Sequence, residues 1–172
     1  MLNALIVRPR PGNWQQGVLQ AGARVMHCAL GRSGMVSVKR EGDGGTPAGR
    51  FRLLHGFYRA DRGALPQTLL PMQPIKSTAG WCDETGDRNY NRAVDLPYPA
   101  SHEEMMRADR LYDVVIVMDH NITRRMTRGG SAIFFHIAKP GYPPTEGCVA
   151  ISPADMRWLL PKIGTNTVMV VG

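Results

Sequence analysis

Towards the C-terminal end of the chain, two residues have the chemistry for nucleophilic catalysis. They are His136 and Cys148, within FFHIAKPGYPPTEGCVAIS, residues 134–152. A cysteine attacks as its thiolate, and a nearby imidazole lowers the thiol pKa and holds the resulting ion pair. The pairing therefore predicts a Cys148 more acidic than a free thiol, whose pKa is about 8.5. Pro140, Pro143 and Pro144 stiffen the connecting loop, which stays short enough to bring the two side chains together. Gly147, immediately before the cysteine, allows a tight turn and leaves N–H groups to meet a developing oxyanion. A cysteine in an apolar run and a histidine after two phenylalanines also fit a packed core. The pair by itself leaves both readings open.

The elements that must position these residues read as strands. SAIFFHI (131–137) and DVVIVMD (113–119) are near-continuous apolar runs, the pattern of buried central strands. LNALIV (2–7), WQQGVLQA (14–21), ARVMHCAL (23–30) and MVSVKR (35–40) are shorter strand candidates, with GRSG (31–34) as a hairpin turn. RFRLLHGFYR (50–59) and NTVMVV (166–171) complete the set. Two helices are expected. SHEEMMRADRLY (101–112) opens with a capping box, Ser101 and Glu104. PADMRWLLPKI starts after Ser152 as N-cap, with Pro153 at the first position and Asp155 in the first turn. Residues 60–100 are rich in Pro, Gly, Asn and Asp, and a loop segment that long is usually functional.

With 172 residues, the chain has room for one domain with a real core, taken as 1–172. Its 19 glycines and 13 prolines favour a β-rich fold over a helical bundle. The net charge of +7 is scattered, densest at Arg124, Arg125 and Arg128. With only 7% aromatic residues, it lacks the basic stripe interleaved with aromatics of a nucleic-acid reader. No nucleic-acid partner is expected. Three widely spaced cysteines, Cys28, Cys82 and Cys148, make neither a disulfide framework nor a zinc site. No metal or other cofactor is expected. EGDGGTPAG (41–49) lacks the P-loop pattern. No segment is apolar enough to span a membrane, and MLNALIVRPRPG does not read as a secretory signal.

Thr145-Glu146-Gly147-Cys148, preceded by His136, resembles the Ser/Thr-x-Gly-Cys signature of the L,D-transpeptidase (YkuD-like) family. Thr46-Pro47-Ala48-Gly49-Arg50-Phe51 resembles a second family element, T-P-x-G-x-[FY], in the same order along the chain. The resemblance covers roughly residues 24–172. It implies a mainly β domain, a mixed β-sandwich or partly closed barrel with one or two short helices. It also implies a cysteine acyltransferase that crosslinks peptidoglycan stem peptides through a thioester, with donor and acceptor stems as its partners. Such an enzyme works in the periplasm or cell envelope, and carbapenem-type inhibitors would acylate Cys148. An amidase or carboxypeptidase, an amino-acid or protein exchange at the stem, and a non-catalytic wall-binding module remain alternatives on the same fold.

Three departures mark a divergent branch. The twelve-residue step from His136 to Cys148 is shorter than the family commonly has. Glu146 stands where many members carry His. Ala150 stands where many carry Arg or Asn for a substrate carboxylate. Arg124, Arg125 or Arg128 are candidates to supply that missing charge. Further candidates for substrate contact are His120, at the end of the strand before that of His136, and Thr145, Glu146 and Tyr142 of the catalytic loop. Trp81 and Tyr90, in the long 60–100 segment, are candidates to line a groove.

Overall fold

The computed structural model describes residues 1–172. Alternation in ALIVRPR and NWQQGVLQA places Leu5, Val7, Leu19 and Ala21 on the buried face of strands β1 (Ala4–Arg10) and β2 (Asn13–Ala21). Strand β3 (Arg24–Ala29) continues the meander after a turn at Gly22, whose φ of +62° suits a residue without a Cβ. The other strands are β4 (Met35–Val36), β5 (Thr46–Pro47), β6 (Gly49–Tyr58), β7 (Met72–Pro74), β8 (Ala79–Cys82) and β9 (Arg92–Asp95). Then come β10 (His102–Glu104), β11 (Val114–Met118), β12 (Phe134–Ile137), β13 (Val149–Ile151) and, after helix α1 (Pro153–Leu159), β14 (Val168–Val171).

The main sheet runs β11-β12-β13-β3-β2-β1-β14-β6, and β6 pairs back onto β11. Eight strands thus close into a barrel with no free edge among them, and β7 is an appendage on β6. Leu5, Leu19, Leu53, Ile116, Phe135 and Ile151 belong to its core, joined by Met156 and Leu159 of α1. A second apolar cluster contains Val115, Val117 and Phe134 of β11 and β12, with Trp81, Tyr112 and Cys148. Residues 116 and 135 serve one cluster while 115, 117 and 134 serve the other. Both faces of β11 and β12 are therefore covered, which is why their sequences are apolar throughout. The small sheet β10-β8-β9 carries Trp81 into the second cluster.

The mainly β reading holds, and the sheet closes completely. Residues 101–112 do not form the expected helix. Instead His102–Glu104 pairs antiparallel with β8, and the Glu103 carboxylate accepts a hydrogen bond from Tyr112 at 2.5 Å. Sheet pairing and this buried bond override the local capping pattern. GRSG does turn, with the Gly34 N–H donating to Gly31 O at 2.8 Å. It does not make a hairpin, because β4 is two residues long and pairs with β5 rather than β3.

Helix α1 starts as its sequence predicts: Ser152 Oγ accepts from the Asp155 N–H at 3.1 Å. Ser152→Ala should lower unfolding free energy by about 1 kcal/mol, seen as a lower urea midpoint with an unchanged slope. An unaltered midpoint would show that the cap contributes nothing.

Candidate active site

Strands β12 and β13 are parallel, with Phe135 opposite Val149 and His136 opposite Ala150. One step back, Cys148 meets Phe134, whose N–H donates to Sγ at 3.3 Å. Side chains at even steps share a face, so Cys148 and His136 are diagonal neighbours across one strand pair. They line one cleft of about 570 Å³ together with Tyr112, Glu103, Arg107 and Ser131.

The turn before Cys148 is held from within. Thr145 Oγ1 donates to Cys148 O at 2.7 Å and accepts from the Gly147 N–H at 3.1 Å. Gly147 has a φ of +133°, and a Cβ there would sit 2.7 Å from Gly45 O. The turn thus needs glycine, as its place before the cysteine suggests. The Gly147 N–H is taken by Thr145, which leaves the Cys148 N–H as the backbone donor without a protein acceptor.

His136 is 4% exposed, and its Nδ1 lies 2.9 Å from Ile137 O. A carbonyl only accepts, so Nδ1 carries the proton and Nε2 of the neutral ring is the free base. Burial pushes the imidazole down to about 4. Burial likewise pushes the Cys148 thiol up to about 12, and the nearby Glu103 carboxylate adds to that push. Burial thus works against the expected acidic thiol: out of water, both groups are pushed towards their neutral forms. The Cys148 S–H donates to Ala132 O at 3.2 Å.

Ala132 itself has a φ of +51°, uncommon for a residue with a Cβ. Its N–H donates to Asn91 Oδ1 at 3.0 Å. That oxygen also accepts from Trp81 Nε1 at 2.9 Å, while Asn91 Nδ2 donates to Asn121 O at 2.9 Å. Asn91, 2% exposed, is thus a clamp between the 60–100 segment and the backbone beside Cys148. Nothing in the sequence marked it. Glu103, Tyr112 and Arg107 were missed too, because they lay in or beside the segment read as a helix. Arg107 binds Asp109 at 2.8 Å and Glu103 at 3.4 Å, and its guanidinium lies 5.2 Å from the centre of the Tyr112 ring.

The other sequence candidates fall around this centre. Glu146 lines the cleft and pairs with Arg32 at 2.9 Å. Trp81 is buried under Phe134, with ring centres 5.0 Å apart, and does not line the cleft. Tyr142 packs on Ala29, Ala138 and Ala150, outside the lining. His120 also lies outside it, with Nε2 2.9 Å from Gly129 O. The reason is direction: β11 and β12 are antiparallel, so the end of β11 meets the start of β12, away from His136. The Tyr90 hydroxyl donates to Glu41 at 2.5 Å. Arg125 binds Tyr90 O at 3.0 Å, and neither it nor Arg124 or Arg128 lines the cleft. Cys28 and Cys82 are buried, and burial raises both thiols.

The buried His136 makes stability depend on pH. Its folded value of about 4 lies below the ordinary 6.5, so the unfolded chain binds the extra proton between those limits. Stability should fall as pH drops through that window, by up to about 3 kcal/mol. Urea unfolding at pH 7 and pH 4.5 reads the loss, and His136→Gln should remove this share of it. Equal losses in both proteins would rule out a buried neutral imidazole.

The L,D-transpeptidase catalytic domain (YkuD) profile matches residues 14–171. No curated relative matches the chain. Among solved structures it is similar to Mycobacterium tuberculosis L,D-transpeptidase 1, with 13% identity and a TM-score of 0.41 over 98% of this chain and 61% of that one. It is also similar to L,D-transpeptidase 3 of the same organism, with 12% identity and a TM-score of 0.43 over 98% and 60%. The chain thus spans about three fifths of the length of each. On the match across nearly its whole length, the chain belongs to the L,D-transpeptidase catalytic domain (YkuD) family.

Proposed function

We propose that this domain is a peptidoglycan L,D-transpeptidase of the cell envelope, using Cys148 as nucleophile and His136 as base. The observation that supports this reading is their diagonal placement, in one cleft, within a domain of this family. No helix is long and apolar enough to cross a membrane.

The mechanism starts from the neutral pair. A stem peptide entering the cleft presents its amide carbonyl to Cys148 Sγ. The thiol leaves Ala132 O, and its proton passes to His136 Nε2 as the C–S bond forms. The Ile137 carbonyl holds the ring and partly offsets the positive charge it gains. The Cys148 N–H stabilises the tetrahedral oxyanion, a contribution of about 3 kcal/mol for one such donor. His136 then gives its proton to the departing amine, leaving a thioester. An acceptor amine attacks the thioester carbon and the sulfur leaves, regenerating the thiol. Water in place of the amine gives hydrolysis by the same groups.

Cys148→Ala should reduce turnover of purified sacculi below about 1% of the parent rate, with an unchanged circular dichroism spectrum. Muropeptide analysis of the products separates crosslinks from trimmed stems. Turnover above that level would remove Cys148 from its role.

A carbapenem should add its mass to the intact protein, and peptide mapping should place it on Cys148. Acylation should be slow, because Ala150 offers no polar partner to the drug's carboxylate. An adduct on Cys28 or Cys82 alone would contradict the assignment of the nucleophile.

A further inference from the structure

The element Thr46-Pro47-Ala48-Gly49 does not line the cleft, and the proposed mechanism gives it no task. Thr46 is nevertheless fully buried, with its backbone and its side chain both in use. Its N–H donates to Gly34 O at 2.8 Å, and its hydroxyl oxygen accepts from the Gly31 N–H at 2.8 Å. One residue thus grips both ends of the turn at 31–34. Gly31 is itself buried, so its N–H depends on that hydroxyl for an acceptor.

Gly31 lies beside Thr145 in a parallel bridge. The Thr145 N–H donates to Leu30 O, and Thr145 O accepts from the Arg32 N–H, each at 2.8 Å. The segment leading into Thr46 passes close against both arms of this contact. A Cβ on Gly31 would lie 2.1 Å from Gly44 O, and one on Gly147 would lie 2.7 Å from Gly45 O. Thr145 in turn holds the peptide units on either side of Gly147–Cys148, through the Gly147 N–H and Cys148 O. The planar peptide between them carries the Cys148 N–H, and with both neighbours fixed it has little freedom to turn. The Arg32–Glu146 ion pair runs alongside, but it is exposed to solvent and adds little. The buried route therefore runs from Thr46 through Gly31 and Thr145 to the Cys148 N–H.

We propose that Thr46 is a positioning residue for the oxyanion donor: its hydroxyl, acting through Gly31 and Thr145, aims the Cys148 N–H at the carbonyl oxygen under attack. This rests on the reading of Cys148 as nucleophile. It joins the two sequence elements, Thr46-Pro47-Ala48-Gly49 and Thr145-Glu146-Gly147-Cys148, into one device. Without the hydroxyl, the Gly31 N–H is buried and unpaired, a costly state that the chain relieves by moving towards water. Thr145 then moves with Gly31. An oxyanion donor acts over a narrow range of distance, so a displaced Cys148 N–H slows the step that builds negative charge on oxygen. The sulfur and His136 are held separately, by the pairing of β12 with β13 and by the Phe134 N–H. Thr46 therefore governs reactions that pass through an oxyanion and leaves the general reactivity of the sulfur alone.

Two probes separate these effects. p-Nitrophenyl acetate acylates a thiol through a tetrahedral oxyanion and expels p-nitrophenolate, whereas iodoacetamide alkylates the same sulfur by displacing iodide, with no oxyanion. Peptide mapping assigns both adducts to Cys148. Thr46→Val, close to threonine in shape, should slow acylation roughly tenfold or more and leave alkylation within about twofold of the parent. Thr46→Ser keeps the hydroxyl and should return acylation to near the parent rate. Unchanged acylation in Thr46→Val would overturn the proposal, and so would an equal fall in both rates, which marks general disruption of the site. Thr145→Val should show the same split between the probes, and without it the proposal fails even if Thr46→Val does not fold. The double variant should lose no more than the larger single loss, because both residues act on one donor, and losses that multiply would mean separate roles. If the parent reacts with both probes yet transfers no stem peptide, the transpeptidase reading fails while the comparison of rates still decides the role of Thr46. A parent Cys148 that the ester never acylates would remove the nucleophile, and the proposal with it.

Discussion

The arrangement depends on one pairing, the parallel register of β12 and β13. Phe135 lies opposite Val149, so Cys148 falls beside Phe134 and diagonal to His136. A slip of one residue would turn Cys148 to the other face and into the barrel core. Barrel closure protects against such a slip. Strand β13 is held on its far side by β3, and β12 by β11, which is in turn held by β6. The short loop 138–148 is compatible with this register because Thr145 closes the turn on itself and Gly147 accepts a backbone that other residues avoid.

Burial decides the chemistry of the resting site. Proximity of an imidazole would favour a thiolate in a wet environment. Here both groups sit against Tyr112 and Phe134, and the loss of hydration pushes each towards its neutral form. Under the proposed mechanism Cys148 is a protected thiol, whose proton moves when a substrate carbonyl arrives to accept the developing charge. This fits a cysteine that must persist unoxidised between encounters, since oxidation follows thiolate character and exposure.

The segment from residue 60 to 112 builds the cleft as well as covering it. Its small sheet brings Trp81 against Phe134 and Glu103 to Tyr112, and Asn91 ties it to the strained Ala132. Strain of this kind persists only where surrounding contacts over-determine it. One buried asparagine side chain does so here, its oxygen accepting from Trp81 and Ala132 and its nitrogen donating to the His120 and Asn121 carbonyls.

Much of this was legible in the sequence. The apolar runs of β11 and β12, the Ser152 cap of α1, the glycine before Cys148 and the pairing of His136 with Cys148 all follow from local pattern. So does the family, through Thr145-Glu146-Gly147-Cys148 and Thr46-Pro47. Other features depend on contacts between residues far apart in the chain. A capping pattern at Ser101 became a strand because β8 offered a partner. His120 ended away from His136 because antiparallel strands run in opposite directions. The ionisation of Cys148 and His136 and the clamp at Asn91 are properties of an enclosed cleft. Local sequence sets backbone preference and the chemical types available. Hydration and partnership are set only when distant segments meet, so only the tertiary structure decided them.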